Sequence, residues 1–230
     1  MPSQLAIFWR SFAENRGAVF GFGLMLVLIL VALSADFMSL HGPIEQYRDN
    51  FLTPPAWEEG GTWRFPLGTD DVGRDMLSRL IHGARLSLMI GFTLVAVALV
   101  VGTSLGLTAA FFGGIVDILI MRLVDVILVF PSLLLAIVVV AIIGPGLFNA
   151  MIAVAVVTLP GYVRLARASA LVELNRDYVS ATRAMGASMP RLMFDTVLPN
   201  CMAPLIVHAT LGFSTAVLDA AALGFLGLGA

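Results

Sequence analysis

Long apolar runs alternate with shorter polar segments along the chain, and this pattern is the first indication of its fold. A helix needs about 20 apolar residues to cross a hydrocarbon layer of about 30 Å. Five stretches approach that length and consist mainly of Leu, Val, Ile, Ala, Phe, Met and Gly: 17–35, 86–112, 123–143, 147–163 and 202–228. Because membrane barrels show short alternating strands instead, the pattern predicts an all-α integral membrane bundle with five spans.

Composition agrees with a chain that meets the lipid bilayer. Hydrophobic residues make up 59% of the sequence, charged residues 12%, and the mean hydropathy is +0.97, whereas soluble domains are about half apolar and a quarter charged. Lysine is absent, so a phosphate-binding loop that ends in Gly-Lys-Ser/Thr is excluded. Any ATP hydrolysis is therefore expected on another chain. The net charge of −2 and the scattered arginines argue against nucleic-acid binding.

Arginines near the ends of the spans predict the orientation. Arg10 and Arg16 precede the first span, and five more arginines lie between the fourth and fifth spans. By the positive-inside rule, 1–16 and 166–199 are cytoplasmic and 36–85 lies outside. The first span is longer than the apolar core of a signal peptide, which is about 7–15 residues, so we expect it to be retained.

The outer segment 36–85 contains Pro54-Pro55 and Gly60-Gly61, which break helices. Apolar residues then return at helical spacing between Asp75 and Arg85. We therefore expect a loop followed by a short amphipathic helix at the membrane surface. The rest of the chain, 86–230, would form the helical core, with 166–199 inserted in it.

Segment 166–199 is too polar to cross a membrane. Helix-forming residues lie on both sides of Gly186, which predicts two short helices broken at a glycine with left-handed backbone. Pro190 is expected to begin the second helix and Pro199 to end it. A plain interfacial connector is the alternative interpretation.

The spacing inside this segment resembles the EAA motif of binding-protein-dependent ABC importer permeases. The residues are Ser180-Ala181-Thr182, then Gly186, then Thr196-Val197-Leu198-Pro199. Ala181, Gly186, Leu198 and Pro199 match the motif, whereas Ser180 replaces its usual Glu, Thr182 its second Ala and Thr196 its Ile.

A second resemblance lies upstream and points to the dipeptide, oligopeptide and nickel branch of these permeases. It is carried by Leu67-Gly68-Thr69-Asp70-Asp71-Val72-Gly73-Arg74-Asp75, Ser78-Arg79 and Gly83-Ala84-Arg85-Leu86-Ser87-Leu88. The runs 54–61 and 175–179 are most similar to the dipeptide permeases of that branch. Family members continue beyond the Gly-Phe-Leu-Gly-Leu-Gly found at 224–229 into a sixth span, so we expect this span to be missing from the sequence.

The resemblance implies a type I ABC importer permease in the bacterial inner membrane, which moves peptides by alternating access without covalent chemistry. Its implied partners are a second permease, two ATPase subunits that bind ATP and Mg, and an external solute-binding protein. It also implies that segment 166–199 docks on an ATPase subunit. The residues expected at that contact are Asp177, Ser180, Ala181, Arg183, Gly186, Leu198 and Pro199.

Several polar or small residues inside the spans are further candidates. Asp219 either lines the solute path or makes a helix–helix hydrogen bond with the partner permease. His208 is expected to be a packing residue, because no second histidine stands at metal-binding spacing. Arg122 and Asp125 are three residues apart and are expected to pair. Two glycine pairs four residues apart would allow close helix packing, namely Gly102 with Gly106 and Gly17 with Gly21.

Three other functions stay open at this point. The branch includes nickel permeases, so the solute could be nickel or another small molecule. A solitary proton-coupled carrier would use Asp219 as its relay, but it would have no use for a docking segment. A membrane-embedded enzyme would need a cluster of acids, histidines or a nucleophile, and the spans show no such cluster in the sequence.

Overall fold

The computed structural model describes residues 4–229, and its regular structure is helical. Residues 1–3 of the predicted N-terminal segment and Ala230 of the predicted core lie outside the described residues. Within 4–229 the β pairing is limited to one isolated bridge between Thr69 and Asp75. The elements are α1 Gln4–Glu14, α2 Arg16–Leu33, α3 Ala35–Met38, α4 Met76–Phe112, α5 Gly114–Val129, α6 Ser132–Ile143, α7 Leu147–Leu174, α8 Asp177–Ala184, a π-helical stretch Arg191–Val197, and α9 Leu198–Phe225.

Four helical segments of the described chain are long and apolar enough to cross a membrane. They are Arg16–Leu33, Met76–Phe112, Leu147–Leu174 and Arg191–Phe225. Helices α5 and α6 meet the same criterion together, which gives up to five spans. The helical bundle predicted from the apolar pattern is confirmed.

The third apolar stretch is not the continuous helix that its length suggests. Its two halves, α5 and α6, meet at an angle of 98°. Phe130 between them is extended, with φ −90° and ψ 141°, and Pro131 follows it. A proline disfavours helical backbone in the residue before it, so the break has a local cause in the sequence.

The short amphipathic helix expected between Asp75 and Arg85 does not exist as a separate element. It forms the first turns of α4, a single helix of 37 residues. The reason is that no helix breaker separates Arg85 from Leu86, and Gly83 alone does not interrupt the helix.

Two buried or nearly buried carboxylates organise the loop before α4. Asp75 caps the helix: its carboxylate accepts hydrogen bonds from the Leu77 amide at 3.1 Å and from the Ser78 hydroxyl at 2.6 Å. The ring nitrogen Nδ1 of His41 lies 3.0 Å from the same carboxylate. Asp70 accepts hydrogen bonds from the backbone of Val72 and Arg74 and from the side chains of Arg74 and Arg79.

The chain divides into two compact units, Met1–Met89 and Ile90–Ala230. In the second unit α4 approaches α7 closely at two of the predicted glycines. A Cβ atom on Gly102 would come within 2.4 Å of the Tyr162 side chain, and one on Gly106 within 2.6 Å of the Val163 carbonyl oxygen. The close packing predicted for this pair is confirmed. Within the first unit a Cβ atom on Gly21 would have no neighbour within 4 Å, so this unit shows no close helix packing at Gly21.

Candidate functional site

The segment after α7 forms a helix, a turn at Gly186 and a π-helical stretch. Gly186 has φ +84°, and a Cβ atom added there would have no neighbour within 4 Å. The left-handed backbone predicted at this glycine is confirmed. The turn is closed by the amides of Gly186 and Ala187, which donate to the carbonyls of Arg183 and Thr182 at 3.0 and 3.3 Å.

The ends of this segment differ from the prediction. Its first residues, from Ala166, belong to α7, which continues to Leu174 because good helix formers follow the apolar run without a breaker. Pro199 does not end the second helix. The chain passes from the π-helical stretch directly into α9, and Pro199 lies in the first turn of α9, where proline is tolerated.

Helix α8 has one buried side and one exposed side. Val179 is buried, with 1% of its surface exposed. Asp177, Ser180 and Ala181 are all exposed and share the opposite side of the helix. Arg183 is exposed in the last turn, where its positive charge interacts favourably with the negative end of the helix dipole. Of the other predicted contact residues, Gly186 and Pro199 are exposed, whereas Leu198 packs partly against the core.

Three exposed apolar residues around the turn were not predicted as site residues. Met185, Met189 and Phe194 expose 80%, 44% and 51% of their surfaces. The available signal was the presence of such residues in an otherwise polar segment. Methionine side chains adapt readily to an apolar groove, so this edge of the turn is suited to docking.

The segment is firmly attached to the bundle beneath it. Val179 of α8 and Leu192, Met193 and Val197 of the π-helical stretch are buried in one cluster with residues of three long helices. Those residues are Leu107 and Ala110 of α4, Ala166 and Ala170 of α7, and Cys201 and Leu205 of α9. A force applied to the exposed side of α8 would therefore be transmitted to α4, α7 and α9 through a packed core.

A side-chain contact also joins α8 to the end of α7. The Tyr178 hydroxyl donates a hydrogen bond to Glu173 Oε2 at 2.5 Å. Partial burial, together with this hydrogen bond and the charge of Glu173, raises the pKa of Tyr178 to about 12. Tyr178 therefore stays protonated and keeps donating at any physiological pH.

Two ion pairs connect α5 to α7. Arg167 donates two hydrogen bonds to Asp117, each 2.5 Å long, and Arg164 donates one to Asp125 at 2.6 Å. The predicted pair between Arg122 and Asp125 is wrong. Asp125 instead pairs with Arg164 of the neighbouring helix α7. The spacing of residues within α5 could not reveal that α7 packs beside it.

Asp219 and His208 lie on α9. Asp219 is half-buried and makes no hydrogen bond or ion pair with another described residue. The ring of His208 meets the ring of Tyr162 edge-on, with the ring centres 4.6 Å apart. This contact agrees with the packing role predicted for His208. No group of three metal-binding side chains is present among residues 4–229.

Comparison with known protein families identifies the family of this chain. Residues 102–230 match the family described as binding-protein-dependent transport system inner membrane component. This chain belongs to that family. Residues 3–55 match the N-terminal transmembrane domain of oligopeptide transport permease C. The family resemblance inferred from the motifs is confirmed.

Named relatives are similar to this inner membrane component over nearly its whole length. It is 60% identical over 228 residues to the di/tripeptide transport system permease protein DppC of Pseudomonas aeruginosa, covering 99% of this chain and 75% of the relative. It is 56% identical over 228 residues to the dipeptide transport system permease protein DppC of Escherichia coli K12, covering 99% and 76%.

A solved structure has the same fold. The MetNI methionine ABC transporter in inward-facing conformations matches with a TM-score of 0.58 and 25% identity, covering 67% of this chain and 77% of that one. The type I ABC importer permease fold expected from the motifs is therefore confirmed, as is a multi-pass protein of the inner membrane.

Proposed function

We propose that this permease moves dipeptides or short oligopeptides into the cytoplasm as part of an ATP-driven importer. The relatives with the highest identities quoted above are named as dipeptide or di/tripeptide permeases, which supports a peptide as the solute. The importer would contain a second permease, two ATPase subunits that bind ATP and Mg, and an external binding protein. ATP hydrolysis is assigned to those partner subunits, because this sequence has no lysine for a phosphate-binding loop.

The observation that carries the coupling role is the exposed turn between α8 and the π-helical stretch. The exposed residues of α8 that lead into this turn are Asp177, Ser180, Ala181 and Arg183. Gly186, in the turn itself, sets the direction of the chain. The exposed part of this turn docks on an ATPase subunit, and Leu198 and Pro199 join it to α9. Asp219 is the residue of α9 proposed to line the solute path.

The coupling role is tested by Met185→Asp, which places a charge on the most exposed apolar residue of the turn. The variant should reach the membrane in normal amount but lose its ATPase partners on purification and import no dipeptide. Met185→Leu should behave as the natural protein. Normal co-purification and uptake in Met185→Asp would contradict the docking role.

The proposed orientation places residues 1–16 and 166–199 in the cytoplasm and 36–85 outside. A cysteine in place of the exposed Glu58 should react with an impermeant thiol reagent added to intact spheroplasts. A reaction that requires broken membranes would overturn this orientation.

The solute is tested by uptake of labelled dipeptide, tripeptide and nickel in cells that lack their own importers for these solutes.

A further inference from the structure

The loop before α4 contains a strained residue that presents a bulky apolar side chain. Leu52 has φ +48°, and it is the one non-glycine residue with a positive φ among residues 4–229. Such backbone is uncommon for a leucine, because its Cβ atom crowds the neighbouring carbonyl. Leu52 exposes 71% of its surface and the adjacent Phe51 exposes 55%.

Hydrogen bonds on both sides hold this turn in place. The amide of Leu52 donates to the Asp70 carbonyl at 3.1 Å, and the amide of Thr53 donates to the Thr69 hydroxyl at 2.9 Å. The same hydroxyl donates to the Asn50 carbonyl at 2.5 Å. Thr69 itself is buried. The position of Phe51 and Leu52 is thus fixed by a rigid support.

Packing within the loop does not explain why a leucine stands at this position. Glycine or asparagine would adopt the same backbone with less strain. The leucine side chain points to solvent, so its burial in this chain does not offset the strain. Strain that is retained without an internal benefit is typical of residues selected for contact with another molecule.

The charge around the turn indicates the chemistry of that molecule. Residues 39–75 contain seven acidic residues and three arginines, a formal net charge of −4 with His41 neutral. Two exposed acids flank the turn. Asp49 precedes it in the sequence, and Asp71 follows Asp70, whose backbone carbonyl accepts the hydrogen bond from the Leu52 amide. An anionic membrane surface would repel this loop, whereas a protein surface with basic residues around an apolar patch would attract it.

We propose that Phe51 and Leu52, with Asp49 and Asp71 beside them, form a docking surface for the external binding protein on which this family of transport systems depends. The two apolar side chains insert into an apolar patch on the binding protein, and the two acids pair with lysines or arginines around that patch. This proposal rests on the proposed function and orientation, because it requires the loop to face the binding protein.

The apolar part is tested with the complete importer in lipid nanodiscs, by measuring ATPase activity against the concentration of peptide-loaded binding protein. Leu52→Asn keeps a residue that tolerates the left-handed backbone but removes the apolar side chain. Leu52→Asn and Phe51→Ser should each raise the half-saturating concentration about tenfold. The basal and maximal activities should stay unchanged.

Ile44→Asn is the matched control, since Ile44 is 83% exposed in the same loop but has ordinary backbone. This control should leave the half-saturating concentration unchanged. If Leu52→Asn and Phe51→Ser also leave it unchanged, the docking proposal is wrong. If the natural importer shows no stimulation by any loaded binding protein, the proposed function itself fails, so the two failures are distinguishable.

The charged part is tested by salt. Asp49→Asn combined with Asp71→Asn should raise the half-saturating concentration several-fold at low ionic strength, and the difference should disappear near 0.5 M salt because exposed charges are screened. A difference that is independent of salt would overturn the electrostatic part of the proposal.

The occupant is identified by photo-crosslinking from p-benzoylphenylalanine placed at position 51. Irradiation in the presence of loaded binding protein should give an adduct of the permease with that protein. The adduct should be lost in the presence of Leu52→Asn. An adduct with the second permease alone, or with lipid alone, would overturn the proposal and show what covers this turn instead.

Discussion

The hydroxyl oxygen of Tyr162 lies directly against Gly212, so that a Cβ atom on Gly212 would come within 2.4 Å of it. Tyr162 belongs to α7 and Gly212 to α9. The tyrosine is 2% exposed, and its hydroxyl has no hydrogen-bond partner among the described residues. The absence of a side chain at Gly212 is therefore what allows α7 and α9 to pack around this ring.

Gly212→Ala should destabilise the protein by about 1–3 kcal/mol, because the added methyl group overlaps the tyrosine hydroxyl. Tyr162→Phe should cost little by itself, since the hydroxyl it removes is buried and unpaired. In the Tyr162→Phe background the penalty of Gly212→Ala should largely disappear. Thermal unfolding of the four purified proteins measures this coupling, and an equal penalty in both backgrounds would contradict it.

The pair between Arg167 and Asp117 should contribute more to stability than the pair between Arg164 and Asp125. The first makes two hydrogen bonds with side chains 29% and 21% exposed, whereas the side chains of the second are 50% and 49% exposed. Asp117→Asn should cost roughly 1–3 kcal/mol, and Asp125→Asn less than about 1 kcal/mol.

Exchange of the two charges gives the control for this prediction. Asp117→Arg alone should be strongly destabilising, and adding Arg167→Asp should restore part of the lost stability. The melting temperature of the purified protein is the measurement. If the exchanged pair is no more stable than Asp117→Arg alone, the contact between α5 and α7 is not an important ion pair.

Local features of the sequence were enough to predict much of the fold. The apolar runs located the membrane helices, and the spacing around Gly186 predicted its left-handed backbone. Both depend on rules that act over a few residues. The break before Pro131 follows from the same kind of local rule. The length of the apolar run nevertheless led to the prediction of one continuous helix.

Contacts between distant parts of the chain could not be predicted in this way. Asp125 finds Arg164 only because α5 packs beside α7, and the sequence gives no direct measure of that packing. The strained backbone at Leu52 is likewise held by hydrogen bonds that its neighbours Thr53 and Asn50 make with Thr69, which lies 16 and 19 positions away from them. The residues that proved hardest to anticipate are those whose partners lie on another element.

Asp70 should make the loop before α4 sensitive to acid. Its burial would raise its pKa, but hydrogen bonds from the backbone and side chain of Arg74 and the backbone of Val72 outweigh this and lower the pKa to about 2. Because the pKa is lowered, the ionised Asp70 stabilises the folded loop fully at pH values above 3.8, its pKa in the unfolded chain. This stabilisation is lost as the pH falls towards about 2. The shift corresponds to about 2 kcal/mol.

Asp70→Asn should remove this stabilisation at neutral pH and abolish its dependence on acid. Hydrogen exchange at the amides of Val72 and Arg74 is the local measurement, since both donate to Asp70. The neighbouring exposed Asp71 provides the control, and Asp71→Asn should leave the exchange unchanged. Equal protection of these amides in Asp70→Asn would show that the negative charge of Asp70 does not hold the loop.

Asp219→Asn should leave assembly intact and reduce dipeptide uptake by a few-fold at most. Asparagine can still make a hydrogen bond across a helix contact or to a solute, so a structural or path-lining role survives in part. Uptake measured between pH 5.5 and pH 8 gives the decisive readout. Complete loss of uptake together with loss of its pH dependence would mean that Asp219 is a proton relay, against the proposed mechanism.

Gly186→Val should separate membrane insertion from coupling. With φ +84° at this position, a β-branched residue is held in backbone it strongly disfavours, at a cost of about 1–3 kcal/mol. No atom within 4 Å would clash with the new Cβ, so the cost arises from the backbone itself and the turn should change direction to relieve it.

The variant should therefore reach the membrane in normal amount and retain its partner permease, but release the ATPase subunits in detergent and fail to import. Gly186→Asn should be much milder, because asparagine tolerates left-handed backbone, and Gly186→Ala should lie between the two. Co-purification of the subunits and dipeptide uptake measure the effect. If Gly186→Val keeps its ATPase subunits at the natural ratio and transports normally, the turn at Gly186 does not couple the permease to ATP hydrolysis.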